Sequence, residues 1–173
     1  FSLALFMVAA ALTPGAAPDP NLRFLIAVAA GAVAQVCATA ALLMAMRTSG
    51  FGVATFMQQS SLPLGALLGY FAFGDAMSAV QWAGLAATTV ALLVLSWPSR
   101  SQATGKLAGS LYGLASGAAF AVALNGYRQA GLALEPRHPI YSATAALCVA
   151  QALQSLVMVL VLGVTRPGAL RAV

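Results

Sequence analysis

Charge is what this sequence has least of. Its 173 residues include three Asp or Glu and eight Lys or Arg, so 6% of the chain is charged. A soluble domain carries about a quarter. With a mean hydropathy of +0.92, a water-soluble globule is excluded. Histidine occurs once, at His138 beside Arg137, and reads as a solvated interfacial residue. The two cysteines, Cys37 and Cys148, lie in apolar stretches. Their spacing matches no metal site, and a disulfide between them is not expected. They read as small packing residues, and no metal or cofactor is implied. The net charge of +5 lies outside the apolar stretches. No basic face with interleaved aromatics exists, so nucleic acid is not an expected partner. Arg and Lys at the ends of apolar stretches instead suit lipid headgroups.

What the chain has in abundance is long apolar runs. Five stretches hold no ionisable side chain apart from tyrosine and cysteine: 24–46, 53–73, 78–97, 107–127 and 140–163. A helix rises ~1.5 Å per residue, so ~20 residues cross the ~30 Å core of a bilayer. The expected class is all-α and polytopic, with the lipid bilayer as a partner. Residues 1–12 are apolar but short. They read as the tail of a span that begins earlier. The competing reading is a signal-peptide core with Ala16-Ala17 near its cleavage site, which lacks a basic leader. The start at Phe1 and the stop at Val173 after Arg166 and Arg171 suggest the middle of a longer protein.

Breaks divide the runs. Thr13-Pro14-Gly15 through Pro18-Asp19-Pro20 cannot continue a helix, and Asn21 can cap the next one. Gly50 and Gly52 follow Arg47. Gly74-Asp75 makes a turn, with Ser78 a candidate cap. So short a connection implies adjacent antiparallel helices. Ser96-Trp97-Pro98 ends the third span, with Trp97 as an interface anchor. Residues 98–106, with Arg100 and Lys106, form the most polar linker. The fourth span ends at Tyr127-Arg128, and Glu135-Pro136-Arg137-His138-Pro139 precedes the fifth.

Small residues recur at helical spacing. The fourth span carries Gly109, Gly113 and Gly117, and the second carries Gly65 and Gly69. Inside lipid, helices associate through close backbone contact, which small residues permit. Packing is the expected role of all five, with room for a substrate as the alternative.

Polar side chains within spans must be satisfied or face a cavity. They include Gln35, Thr39, Gln58, Gln59, Ser60, Ser61, Gln81, Thr88, Thr89, Tyr112, Ser116, Asn125, Tyr141, Gln151 and Gln154. The densest group lies just before Pro63. Proline has no N–H, so the carbonyl near Gln59 is expected to lose its helical partner. A loosened turn beside two amides and two hydroxyls offers hydrogen bonds to a polar substrate, a recurring device of transporters. Alternatively, the serines bond back to their own helix and the glutamines join neighbouring spans. The substrate-pathway candidates are Gln35, Gln58, Gln59, Ser60, Ser61, Pro63 and Asn125. Asp75 reads as a turn residue rather than a proton carrier.

Residues 45–95 resemble the end of the first repeat in the EamA branch of the drug/metabolite transporter superfamily. The matching features are Arg47 at a helix end, Ser61 and Pro63 in mid-span, Gly74-Asp75 at the turn and Gly84 in the next helix. The family usually has glutamate where this chain has Asp75. Residues 105–128, GKLAGSLYGLASGAAFAVALNGYR, look like the opening helix of the second repeat. A looser match relates Phe6-Met7-Val8 and Pro14-Gly15 to Val157-Met158-Val159 and Pro167-Gly168, the two Pro-Gly pairs lying 153 residues apart. The resemblance implies part of a ten-helix bundle of two inverted five-helix repeats. Residues 1–97 would close the first repeat, 98–106 link the two, and 107–173 open the second. It also implies a secondary transporter in the cytoplasmic membrane, usually exporting small metabolites such as amino acids or amphipathic compounds. Family members line the pathway with the helix that holds Gln35.

Two further inferences concern coupling and orientation. No span holds an acidic or basic side chain, whereas a proton-coupled carrier normally keeps one in the membrane. One set of loops carries Arg47, Arg100, Lys106, Arg166 and Arg171, and the other Arg23, Arg128 and Arg137. The positive-inside rule makes the first set cytoplasmic. The usual family arrangement makes it the second. Two other functions compete with transport. A non-transporting assembly subunit would need no polar cluster. A membrane-embedded enzyme would need a nucleophile with a base, paired aspartates or metal ligands at depth, and the spans offer no such set.

Overall fold

The computed structural model describes residues 2–13, 15, 20–95 and 107–165, and every regular element among them is a helix. The helices are α1 (Ser2–Leu12), α2 (Leu22–Ser49), α3 (Phe51–Gln58), α4 (Ser61–Phe73), α5 (Ala79–Leu95), α6 (Leu107–Leu134) and α7 (Pro139–Thr165). Pro14, residues 16–19, the linker 98–106 with Ser96, Trp97 and Pro98, and residues 166–173 lie outside the described residues.

Local chemistry sets the helix ends. The Phe24 N–H donates to Asn21 Oδ1 at 2.9 Å, capping α2. Gly50 separates α2 from α3 at φ +85°, a region that side chains disfavour. Gly74 ends α4 at φ +68°, and the Asp75 N–H turns back to the Gly69 carbonyl at 3.2 Å. Ser78 and Gln81 cap α5 reciprocally. Gln81 N–H donates to Ser78 Oγ at 3.3 Å, and Ser78 N–H donates to Gln81 Oε1 at 2.8 Å. This is a capping box. Pro139 opens α7, where its missing N–H costs nothing.

Among the described residues, three helices are long and apolar enough to cross a membrane: α2, α6 and Pro139–Val161 of α7. The 28 residues of α2 and of α6 extend ~42 Å at 1.5 Å per residue. The stretch 53–73, expected as one span, is instead two helices, α3 and α4, separated at Gln59 and Ser60. The third stretch forms α5, whose 17 residues reach only about 25 Å. Large apolar side chains point outwards throughout. Leu12, Phe71, Val80 and Leu107 are each more than three-quarters exposed. Such a surface suits acyl chains rather than water.

The chain forms two compact units, Phe1–Val33 with Gly126–Val173, and Ala34–Asn125. Both α2 and α6 contribute to each, so the units cut across the sequence division at 98–106. The first unit has a core of Phe24, Val28, Ala130, Leu134, Ala146 and Ala150. There α2 and α6 meet closely. A Cβ on Gly126 would lie 3.0 Å from both the Ala27 carbonyl oxygen and Gly31 Cα. Helix α1 packs on α7, with Phe6 and Tyr141 rings 5.4 Å apart and the Ser2 hydroxyl donating to Gln151. The second unit contains the α3–α4 break and its neighbours.

Candidate functional site

The break between α3 and α4 is a tightened turn rather than an opened one. Gln59 and Ser60 keep helical dihedrals, φ −62°, ψ −14° and φ −56°, ψ −16°. Three bonds shorten to the i→i+3 pattern of a 3₁₀ helix. Gln59 N–H donates to the Phe56 carbonyl, Ser60 N–H to Met57, and Leu62 N–H to Gln59. The carbonyl of Gln59, expected to be stranded by Pro63, is therefore bonded at 3.1 Å. Pro63 sits in the first turn of α4, where helical N–H groups have no intrahelical partner. None of these bonds reaches the Gln58 carbonyl.

The side chains at the break divide by burial. Ser61 and Pro63 are buried, Gln58 and Ser60 partly buried, and Gln59 exposed. Within Ser60 the hydroxyl oxygen is buried and has no hydrogen-bond partner. It faces Gly117 of α6, where an added Cβ would collide with it. The same Cβ would lie 3.1 Å from the Gln58 carbonyl oxygen and 3.2 Å from the Ser61 nitrogen. Only glycine lets α6 approach the break this closely.

The glycines of α6 form a seam. Gly109 faces Thr48 and Ser49 at the end of α2, and Gly113 faces Met57 and the Ala54 carbonyl of α3. Beyond Gly117, the seam continues along α4. Gly65 lies opposite Ala121, with a Cβ-to-Cα approach of 3.9 Å, and Gly69 opposite Asn125. The pairs 61/117, 65/121 and 69/125 advance together by four residues, so α4 and α6 run parallel in this unit.

Asn125 lies within this seam. It is buried, and its Nδ2 donates to the Gly65 carbonyl at 2.9 Å and to the Ala121 carbonyl at 3.0 Å. Asp75 folds back beside it. A Cβ on Gly69 would lie 2.7 Å from Asp75 Oδ2 and 3.4 Å from Asn125 Oδ1. Gly65, Gly69, Asp75 and Asn125 thus converge on one contact, a meeting that no spacing in the sequence signals. Gln35 is partly buried on α2, three residues before Ala38, whose carbonyl accepts the fully buried Ser116 hydroxyl at 2.7 Å.

The first unit holds features that the sequence did not single out. Gln154 Nε2 donates to Tyr127 Oη at 2.8 Å. An open groove of about 420 Å³ runs between the end of α6 and the start of α7. The Pro-rich turn at 136–139 was its only sequence signal. Among the described residues no group of three or more His, Cys, Asp and Glu side chains could hold a metal. No family model, curated protein or solved structure matches the chain.

Proposed function

We propose that the chain is part of a secondary transporter of small metabolites in the cytoplasmic membrane, of the EamA type that residues 45–95 resemble. Amino acids and amphipathic compounds are the substrate class, and export is the direction. The observation that carries this reading is the interrupted segment α3–α4. Its break gathers a carbonyl left out of the turn's bonding, at Gln58, a buried hydroxyl without a partner, at Ser60, and the amides of Gln58 and Gln59. Polar groups at a helix break within apolar surroundings are costly unless they serve a ligand or a neighbour.

A second reading, an assembly subunit without transport, draws on the seam itself. Asn125 and Ser116 each donate a hydrogen bond to a backbone carbonyl of another helix, as helix-joining residues do. The two readings separate in full-length protein reconstituted into vesicles and offered a broad metabolite panel. Gln58→Leu, Gln59→Leu and Ser60→Ala together should abolish most of the flux at normal expression. Unchanged flux in the triple variant overturns the assignment of the break. No flux of any metabolite in the unaltered protein favours the assembly subunit.

A further inference from the structure

The groove between α6 and α7 lies outside the break and plays no part in the transport reading. Arg128, Gly131 and Leu132 of α6 form one wall, Ala143 and Leu147 of α7 the other, and Pro136 closes the end. Its volume of about 420 Å³ falls within the ~300–1,000 Å³ of small-molecule sites. Arg128 is the one charged side chain in the lining. It already has an interaction of its own, and a guanidinium carries five N–H donors. Arg137 is exposed in the turn that closes the groove. The nearby acid is engaged locally, since Glu135 Oε1 accepts the Arg137 N–H at 3.0 Å and lies 3.9 Å from His138 Nδ1.

Position adds to charge. Helix α6 is ~42 Å long at its 28 residues, so its ends overrun a ~30 Å hydrocarbon core into the headgroup layers. Arg128 lies six residues from one such end. Leu147 of α7 (37% exposed) lies eight residues inside the start of its helix, and Leu132 (50%) lies one turn nearer the end of α6 than Arg128. The groove therefore offers basic groups near headgroup depth, with apolar side chains on both walls. Basic pockets between membrane helices recognise anionic lipid headgroups in this way.

We infer that the α6–α7 groove binds one anionic phospholipid, its phosphate at Arg128 and Arg137 and one acyl chain passing Leu147 toward the core. The test uses purified protein with equal amounts of phosphatidylglycerol and phosphatidylcholine, and native mass spectrometry to read the lipid retained. About one phosphatidylglycerol per chain is expected. Two basic side chains near the headgroup give a preference of roughly thirtyfold over the neutral lipid. Arg128→Gln with Arg137→Gln should bring that preference near parity at unchanged helix content. Gly131→Leu tests the groove independently of charge. A Cβ there meets only ordinary contacts, 3.7 Å from Ser142 Oγ, so the larger side chain projects into the groove and should expel the lipid. Equal retention of both lipids by the unaltered protein overturns the inference, as does an undiminished preference in both variants. Displacement of the lipid by millimolar inorganic phosphate identifies a free-anion site and overturns it as well.

Discussion

Replacing Gly117 by alanine tests the seam, provided the general effect of adding a methyl group is removed. In a helix interior, alanine is favoured over glycine by about 0.8–1 kcal/mol. At Gly117 the new Cβ would collide with Ser60 Oγ and press on the Gln58 carbonyl oxygen at 3.1 Å and the Ser61 nitrogen at 3.2 Å. The hydroxyl can rotate away. The two backbone atoms cannot move without shifting the turn. Overpacking of this kind costs about 1–3 kcal/mol. Gly84 on α5 is the matched control, because nothing lies within 4 Å of its added Cβ. Gly84→Ala reports helix propensity alone, so the difference between the variants isolates the clash at about 1–3 kcal/mol. For a chain of this size each kcal/mol moves Tm by about 2–4 °C. Gly117→Ala should therefore unfold about 2–12 °C below Gly84→Ala, by circular dichroism in detergent micelles. Adding Ser60→Ala should recover part of the loss, since it removes the hydroxyl contact but neither backbone contact. Equal Tm values for Gly117→Ala and Gly84→Ala would refute the seam.

Two further outcomes test the other end of the seam. Gly69→Ala should destabilise, and Asp75→Ala should relieve part of that loss, because the carboxylate is the nearest obstacle at 2.7 Å. A double-mutant cycle on thermal unfolding should return a coupling of about 0.5–3 kcal/mol, as for residues in contact, and zero coupling would count against the contact. Asn125→Ala should cost about 0.6–2 kcal/mol by the same assay. It removes the bond to the Gly65 carbonyl, and interhelical hydrogen bonds in membranes span that range.

Helix positions were legible in the sequence to the extent that apolarity marks them, and helix ends where a cap or a glycine marks them, as at Asn21, Gly74 and Ser78; the far ends of α2 and α6 were not. The stretch 107–127 stops at Arg128 because a charge ends an apolar run, yet α6 continues to Leu134. Arginine is a good helix former; the charge marks where lipid gives way to water, while Glu135-Pro136 marks where the helix stops. The same reason carries α2 past Arg47 to Ser49. Pro63 signalled an interruption, but the expected consequence was misplaced by one residue. The turn tightened instead of opening, so Gln59 kept a partner and Gln58 did not gain one. The glycine faces were visible as spacing. Their partners were not, because periodicity shows which residues share a face and nothing of the register between two helices.

That register changes how the pathway candidates are divided. Ser61, Pro63 and Asn125 are buried along the α4–α6 contact, so their first role is to hold two helices together. Gln58, Gln59 and Ser60 remain at the level of the turn. Gly117 covers the Ser60 hydroxyl and the Gln58 carbonyl from one side, whereas Gln59 is exposed on another. The break thus has a closed side sealed by glycine and an open side carrying an amide. On the transport reading, a polar ligand meets Gln59 without any movement of α6 but reaches Ser60 only where α6 parts from the turn. Gln59→Leu should then weaken initial binding, and Gly117→Ala, which alters the closed side, should leave that binding intact while slowing flux. Equal effects of the two substitutions on binding would remove the distinction between the sides.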